Sequence, residues 1–240
     1  MKIVKNRYLY QVSFLSSLFP VNCYLVEEEE GLTLVDAALP YSAKGILRAA
    51  EGIGKPITGI VLTHAHEDHT GALDHLKRAL PAVPVYISAR DSKLLDGDVS
   101  LLPDEPQQPI KGGVPKKLKT RPDVLLHDGD YISSLQAVSA PGHTPGMMAY
   151  LDSRTGALLA GDVYHTRGGT TVAGDIRLTF PFPSLATWSR DLNLQSAKKL
   201  LELQPTLLAT GHGVMLKQPQ EEMKAAISRA QKKFSKESRV

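Results

Sequence analysis

The chain predicts an α/β protein, on three observations. Short runs rich in β-branched and aromatic residues recur along it, beginning with "YLYQVSF", "NCYLVEE" and "LTLVDAAL". Apolar residues spaced three and four apart mark helices between later runs. The run "GIVLT" has the character of a buried strand, with apolar residues side by side.

Each element follows from local chemistry. "EEEEG" separates two of the first strands as turn material. Ser42 stands where it can cap a helix carrying Ile46, Leu47 and Ala50, which Gly52 and Gly54 would end. After "GIVLT", a helix is predicted beyond His69 with Leu73, Leu76 and Leu80 on one face, and "VPVYIS" is the next strand. Residues 96–122 are dense in proline, glycine and lysine and lack an apolar period, which predicts a long surface loop or lid rather than a separate domain. Regular structure resumes with "DVLLHDGDYI", "LQAVSA", "MMAYLD" and "GALLAGDV". Leu185, Trp188, Leu192 and Leu200 predict one face of a helix after Ser184, and "PTLLATGHG" a strand ending in a loop. Met223, Ala226, Ile227, Ala230 and Phe234 form a stripe on a last helix, with Glu221 and Glu222 early and Lys232 and Lys233 late, as the helix dipole favours. Residues 1–240 thus read as a single domain with a lid loop at 96–122.

Composition narrows the classes. Hydrophobic residues make up 42% of the 240, ample for a core, and the net charge of +3 points to neither nucleic acid nor a membrane surface. The single cysteine, Cys23, excludes an internal disulfide and a thiolate zinc cluster and suits a reducing compartment. Asn6, Arg7 and Gln11 interrupt any apolar signal region near the start, so a cytoplasmic protein acting on a small molecule is expected. Oligomeric state has no signature in the sequence.

Three of the eight histidines fall in "LTHAHEDHTGAL", directly after a buried-type strand. Residues two apart in an extended segment point the same way, so His64, His66 and Asp68 can project together. His69 joins them only if the chain turns, as the start of a helix allows. Three further candidates sit in glycine-bearing turns at strand ends: His143 in "APGHTPG", Asp162 in "LAGDV" and His212 in "ATGHG". Imidazole and carboxylate suit zinc, iron or manganese, zinc foremost. His75 reads as a solvated helix residue and His127 as a turn contact. Asp36, at a strand end, reads foremost as an acid that orients a histidine ligand and otherwise as an ordinary Asx turn.

"THAHEDHTG" followed in order by "PGHTPG", "GD" and "GHG" resembles the metallo-β-lactamase-fold hydrolase superfamily, in its stand-alone glyoxalase II-like or lactonase-like branch. The resemblance runs from about Asn22 to about Val214. It implies a four-layer αβ/βα sandwich and two divalent metal ions. His64, His66 and His143 would hold one, Asp68, His69 and His212 the other, and Asp162 would bridge them. The reaction implied is attack of a metal-activated hydroxide on a polarised carbonyl, with Asp68 steering it or carrying a proton. Tyr164 and His165, shortly after Asp162, are candidates to protonate the leaving group.

Departures from known branches set the substrate expectation. One amphipathic helix follows His212, where glyoxalase II-like thioesterases carry a sizeable glutathione-binding region. The inserted domains of nucleic-acid-processing branches are absent, and "PKKLKTR" reads as a solvated loop face. Histidine at 66 separates the chain from flavin-partnered di-iron members. A small ester, lactone or thioester is therefore expected; Arg167 and Arg177 read foremost as surface charge rather than as anion contacts, and Phe180 and Phe182 either line an apolar wall or pack under the loop. The alternatives are phosphodiester cleavage at the same site and a non-catalytic, metal-binding regulatory role.

Overall fold

The computed structural model describes residues 1–237, so the last three positions of the expected 1–240 domain lie outside the described residues. The chain forms two compact units, one of residues 1–98 and 113–127, the other of residues 99–112 and 128 onward.

The first unit is built on a seven-stranded sheet whose spatial order is its sequence order: β1 (Lys2–Asn6), β2 (Leu9–Phe14), β3 (Val21–Glu27), β4 (Leu32–Val35), β5 (Ile57–Val61), β6 (Val85–Ser88) and β7 (Val124–Leu126). β1 to β4 pair antiparallel and β4 to β7 parallel. β3 and β4 are buried almost throughout, as their apolar runs require. Parallel pairing puts the carboxyl ends of β4, β5 and β6 along one edge, where ligand loops of open α/β sheets gather. Cys23 in β3 is fully buried, and burial pushes its thiol pKa up.

Helix α1 (Ala43–Ile53) follows the prediction, ending in left-handed Gly54, although the hydroxyl of Ser42 makes no capping bond. The helix expected beyond His69 forms as two pieces, α2 (Glu67–Thr70) and α3 (Leu73–Ala79), and the first begins ahead of His69. Gly71 sits at the break; a Cβ there would lie 2.7 Å from the Glu67 carbonyl oxygen and from Pro40. Leu73 and Leu76 are buried, whereas Leu80 lies past the helix end. The sequence reading missed α4 (Ala89–Leu95), which Ser88 caps by accepting the Asp91 N–H at 3.0 Å.

The second unit carries a six-stranded sheet in the order β15-β14-β11-β10-β9-β8: β8 (Tyr131–Ile132), β9 (Leu135–Ser139), β10 (Met148–Asp152), β11 (Ala157–Leu159), β14 (Leu207–Ala209) and β15 (Leu216–Lys217). A two-stranded ribbon, β12 (Tyr164–His165) with β13 (Thr171–Val172), lies between in sequence. Since β9 and β11 each run antiparallel to β10, and β14 runs parallel to β11, the carboxyl ends of β9, β11 and β14 share one edge.

The helix predicted after Ser184 requires correction. One turn, α5 (Phe182–Leu185), is followed by a separate α6 (Arg190–Glu202), capped by Ser189. Trp188 lies in the link between them, buried, with its indole N–H donating to the Gln108 carbonyl at 2.9 Å. The inward face of α6 presents Asn193, Leu194, Ala197 and Leu200, while Leu185 is exposed. The apolar period had joined residues that belong to a turn, a link and a helix. Residues 96–122 contain neither helix nor strand. Among the described residues no helix is long and apolar enough to cross a membrane.

Helix α7 (Gln220–Glu237) buries the five residues that its stripe predicted, against a cluster that includes Leu158, Val163, Tyr164 and Leu208. Phe234, 3% exposed, also lies beneath the Arg190 guanidinium at 5.0 Å from the ring centroid. Phe234→Ala should cost about 3–5 kcal/mol, the usual range for emptying an aromatic core site. Urea unfolding checks this, the midpoint falling with the slope unchanged.

Candidate metal centre

The first unit assembles four of the seven predicted ligands. His64, His66, Asp68 and His69 follow the carboxyl end of β5, and His66 forms the extended N-cap of α2. The turn into α2 brings His69 back toward His64: ring centroids lie 4.0 Å apart for that pair and 4.8 Å apart for His64 and His66. The three histidines are buried, and the Asp68 side chain is 30% exposed, with an oxygen 4.0 Å from Nε2 of His69.

Asp36, at the end of β4, holds this group together. Its carboxylate accepts the Thr63 backbone N–H at 2.8 Å, the Thr63 hydroxyl at 2.8 Å and Nδ1–H of His69 at 2.8 Å. A left-handed backbone, with φ of 65°, turns the side chain toward these donors. The orienting role read from sequence is thereby given a partner, His69. Because the Thr63 hydroxyl gives its one hydrogen to Asp36, its contact with Nδ1 of His64 at 3.0 Å must be one in which His64 donates. Both imidazoles are thus Nδ1–H tautomers that keep the lone pair on a buried Nε2, the form a metal accepts. Between them, the Ala65 N–H donates to buried Asp91 at 3.0 Å, fixing the loop from below.

The second unit supplies the other three. His143 follows β9, Asp162 follows β11 and His212 follows β14, so the shared strand edge gathers them. One oxygen of Asp162 lies 3.1 Å from Nε2 of His212 and 3.5 Å from Nε2 of His143. Nδ1 of His143 contacts the Thr187 hydroxyl at 3.1 Å, and that hydroxyl donates to the Pro183 carbonyl at 2.8 Å. His143 therefore donates from Nδ1, repeating the logic of Thr63 and His64. Gly142, at φ of 140°, lets this turn lie against α6: a Cβ there would be 2.2 Å from the Asn193 nitrogen. Thr63, Asp91 and Thr187 were missed by the sequence reading. Thr63 had the signal of standing next to a ligand and Asp91 that of following a strand end closely, whereas Thr187, in the link between α5 and α6, had none.

The two leaving-group candidates take other places. Tyr164 is a core residue, its hydroxyl donating to the Ala197 carbonyl at 2.6 Å, with burial driving its pKa up. Its proton is held there, which removes the support for an acid role. His165 is buried and contacts the Arg167 carbonyl through Nδ1 at 3.3 Å. Burial pushes its pKa down to about 4, so at neutral pH Nε2 accepts rather than donates. The Phe180 ring lies 5.6 Å from His165 and 5.7 Å from His212, so Phe180 packs beside these two histidines, while Phe182 is exposed. Arg167 and His75 are exposed, as is His127, and Arg177 is half-buried.

A family model described as the metallo-beta-lactamase superfamily matches residues 17–212. The chain is 52% identical to the protein YobT of Bacillus subtilis strain 168, over 97% of this chain and all of that one. It is 31% identical to the probable metallo-hydrolase YflN of the same organism, over 80% of each chain. Among solved structures it is similar to TTHA1623 in a di-iron-bound form, with a TM-score of 0.65 and 28% identity over 88% of this chain and 96% of that one.

Removing the outer partners should loosen metal without unfolding the protein. Asp36→Ala and Thr187→Val are each expected to weaken zinc binding by roughly 10–100-fold, measured by competition with a chromogenic chelator. Unchanged affinity in both would show that the partners do not set the ligand tautomers.

Proposed function

Because the chain belongs to the metallo-β-lactamase superfamily, we propose that it is a dinuclear metal-dependent hydrolase of a small ester, lactone or thioester. His64, His66 and His143 would hold one ion, Asp68, His69 and His212 the second, and Asp162 would bridge. The observation behind this reading is the common tautomer of His64, His69 and His143, each donating from Nδ1 to a fixed acceptor. Histidines that only fill a core have no need of that uniformity. Zinc suits the nitrogen and oxygen donors, and the di-iron form of the relative keeps iron open for this chain as well.

Bound divalent ions would supply hydroxide at neutral pH and polarise the carbonyl. The chain's own residues supply the rest. Asp36, Thr63 and Thr187 hold the ligand rings in place before substrate arrives, so little reorganisation accompanies reaction. Asp68, the least buried of the ligands, can move a proton between the hydroxide and the departing group. Phe180, packed on His212 and His165, keeps water from that side of the ligands.

The test is turnover by the metal-loaded protein on lactones, thioesters, phosphodiesters and a β-lactam. One carbonyl class should be hydrolysed, with activity lost on chelation and restored by metal. Asp68→Asn should lower kcat/KM by more than roughly 100-fold, beyond what outer partners usually contribute. Turnover confined to phosphodiesters would move the scissile bond to phosphorus. No turnover with both ions verified as bound would overturn the hydrolase reading.

A further inference from the structure

The first unit holds a cavity of about 550 Å³ with Asp68 on its wall. This lies within the roughly 300–1,000 Å³ typical of small-molecule sites. Phe19, Leu39, Pro40, Pro115 and Leu118 supply its apolar surface, and Lys116 and Lys117 share its charged lining with Glu67, Asp68 and Asp74. Both lysines are exposed, and neither holds a hydrogen bond or ion pair with a described residue.

The segment bearing them is pinned at both ends. The Glu67 N–H donates to the Gly113 carbonyl at 2.8 Å on one side. On the other, Asp74 accepts the Thr120 N–H at 2.8 Å, the Thr120 hydroxyl at 2.6 Å and the Lys119 N–H at 3.1 Å. Burial alone would raise the Asp74 carboxyl, but the bonds from Thr120 and Lys119 outweigh it and hold the pKa below the usual range. The charges around the cavity therefore sort by commitment. Asp74 is satisfied by the loop and Asp68 serves the metal reading, which leaves two ammonium groups against the single carboxylate of Glu67.

Resting on the hydrolase reading above, we infer that the substrate is an acyl compound with an anionic end. Its apolar body would lie along Phe19, Leu39, Pro40 and Leu118, with Lys116 and Lys117 receiving the anion. The basic run "PKKLKTR", read from sequence as a solvated face, thereby becomes the specificity element. Carboxylate and phosphate share the chemistry required.

The experiment compares kcat/KM of the metal-loaded protein for an adipic acid monothioester and for the hexanoyl thioester of the same thiol. Wild type should prefer the carboxylate-bearing substrate by at least ~10-fold, the strength of one modest charged contact, mainly through KM. In Lys116→Ala/Lys117→Ala the preference should fall to about one. Lys232→Ala/Lys236→Ala, an equal loss of charge on α7, should retain it. Equal rates for the two substrates in wild type, or a preference that survives in the first variant, would overturn the inference. Isothermal titration of hexyl phosphate into the same metal-loaded proteins separates the two readings. If neither thioester is hydrolysed but hexyl phosphate binds at least ~10-fold more weakly to the Lys116/Lys117 variant, the anion site stands and thioesters leave the substrate class; the hydrolase reading falls only if the lactone, phosphodiester and β-lactam substrates also fail. Equal binding to wild type and variant overturns the anion site.

Discussion

The Asp36 carboxylate determines more than its own contacts. By accepting the Thr63 hydroxyl hydrogen it turns that oxygen into an acceptor toward His64, while its other contact fixes His69. Without it, the hydroxyl is free to donate to Nδ1 of His64, which would shift the ring proton to Nε2. The imidazole would then present an N–H where a metal needs a lone pair. A single carboxylate on a neighbouring strand thus sets the protonation of two rings, and the parallel register of β4 and β5 keeps it within reach. Thr187 has the same effect on His143 with the Pro183 carbonyl as acceptor, so the device recurs with different chemistry.

Strand direction explains why residues so far apart in sequence gather. In the first unit the parallel run places the ends of β4, β5 and β6 together, and Asp36, the histidine loop and Asp91 all leave from that edge. In the second, two antiparallel steps and one parallel pairing give β9, β11 and β14 a common direction. Each unit therefore presents its polar side chains from short loops on rigid strands, which restricts how far any of them can wander.

Legibility in the sequence followed the strength of the local signal. The α7 stripe was complete, since Met223, Ala226, Ile227, Ala230 and Phe234 all answer to one period, and all are buried. The dense histidine motif and its order relative to later glycine turns exposed the superfamily, and with it the fold class. Trp188 was misplaced because one large apolar residue fits a helical period by chance, while Ser189, the real cap, carries no distinctive neighbour. The two-residue strands β8, β12, β13 and β15 are too short to show alternation. Tyr164 was assigned by proximity to Asp162, yet the ribbon containing it directs the hydroxyl to Ala197. Thr63 and Thr187 stayed invisible because their importance lies in which way a hydroxyl points, and that depends on strands distant in sequence.

The lone cysteine has a practical consequence. Buried in β3, with its sulfur 3.8 Å from the Val12 carbonyl oxygen and its thiol pKa driven upward, Cys23 forms almost no thiolate near neutrality. Electrophiles and peroxides act on the thiolate, so the native fold is nearly silent toward them. A cysteine introduced at any exposed position would then be the sole address for a maleimide dye or spin label, and its signal would report on that position alone.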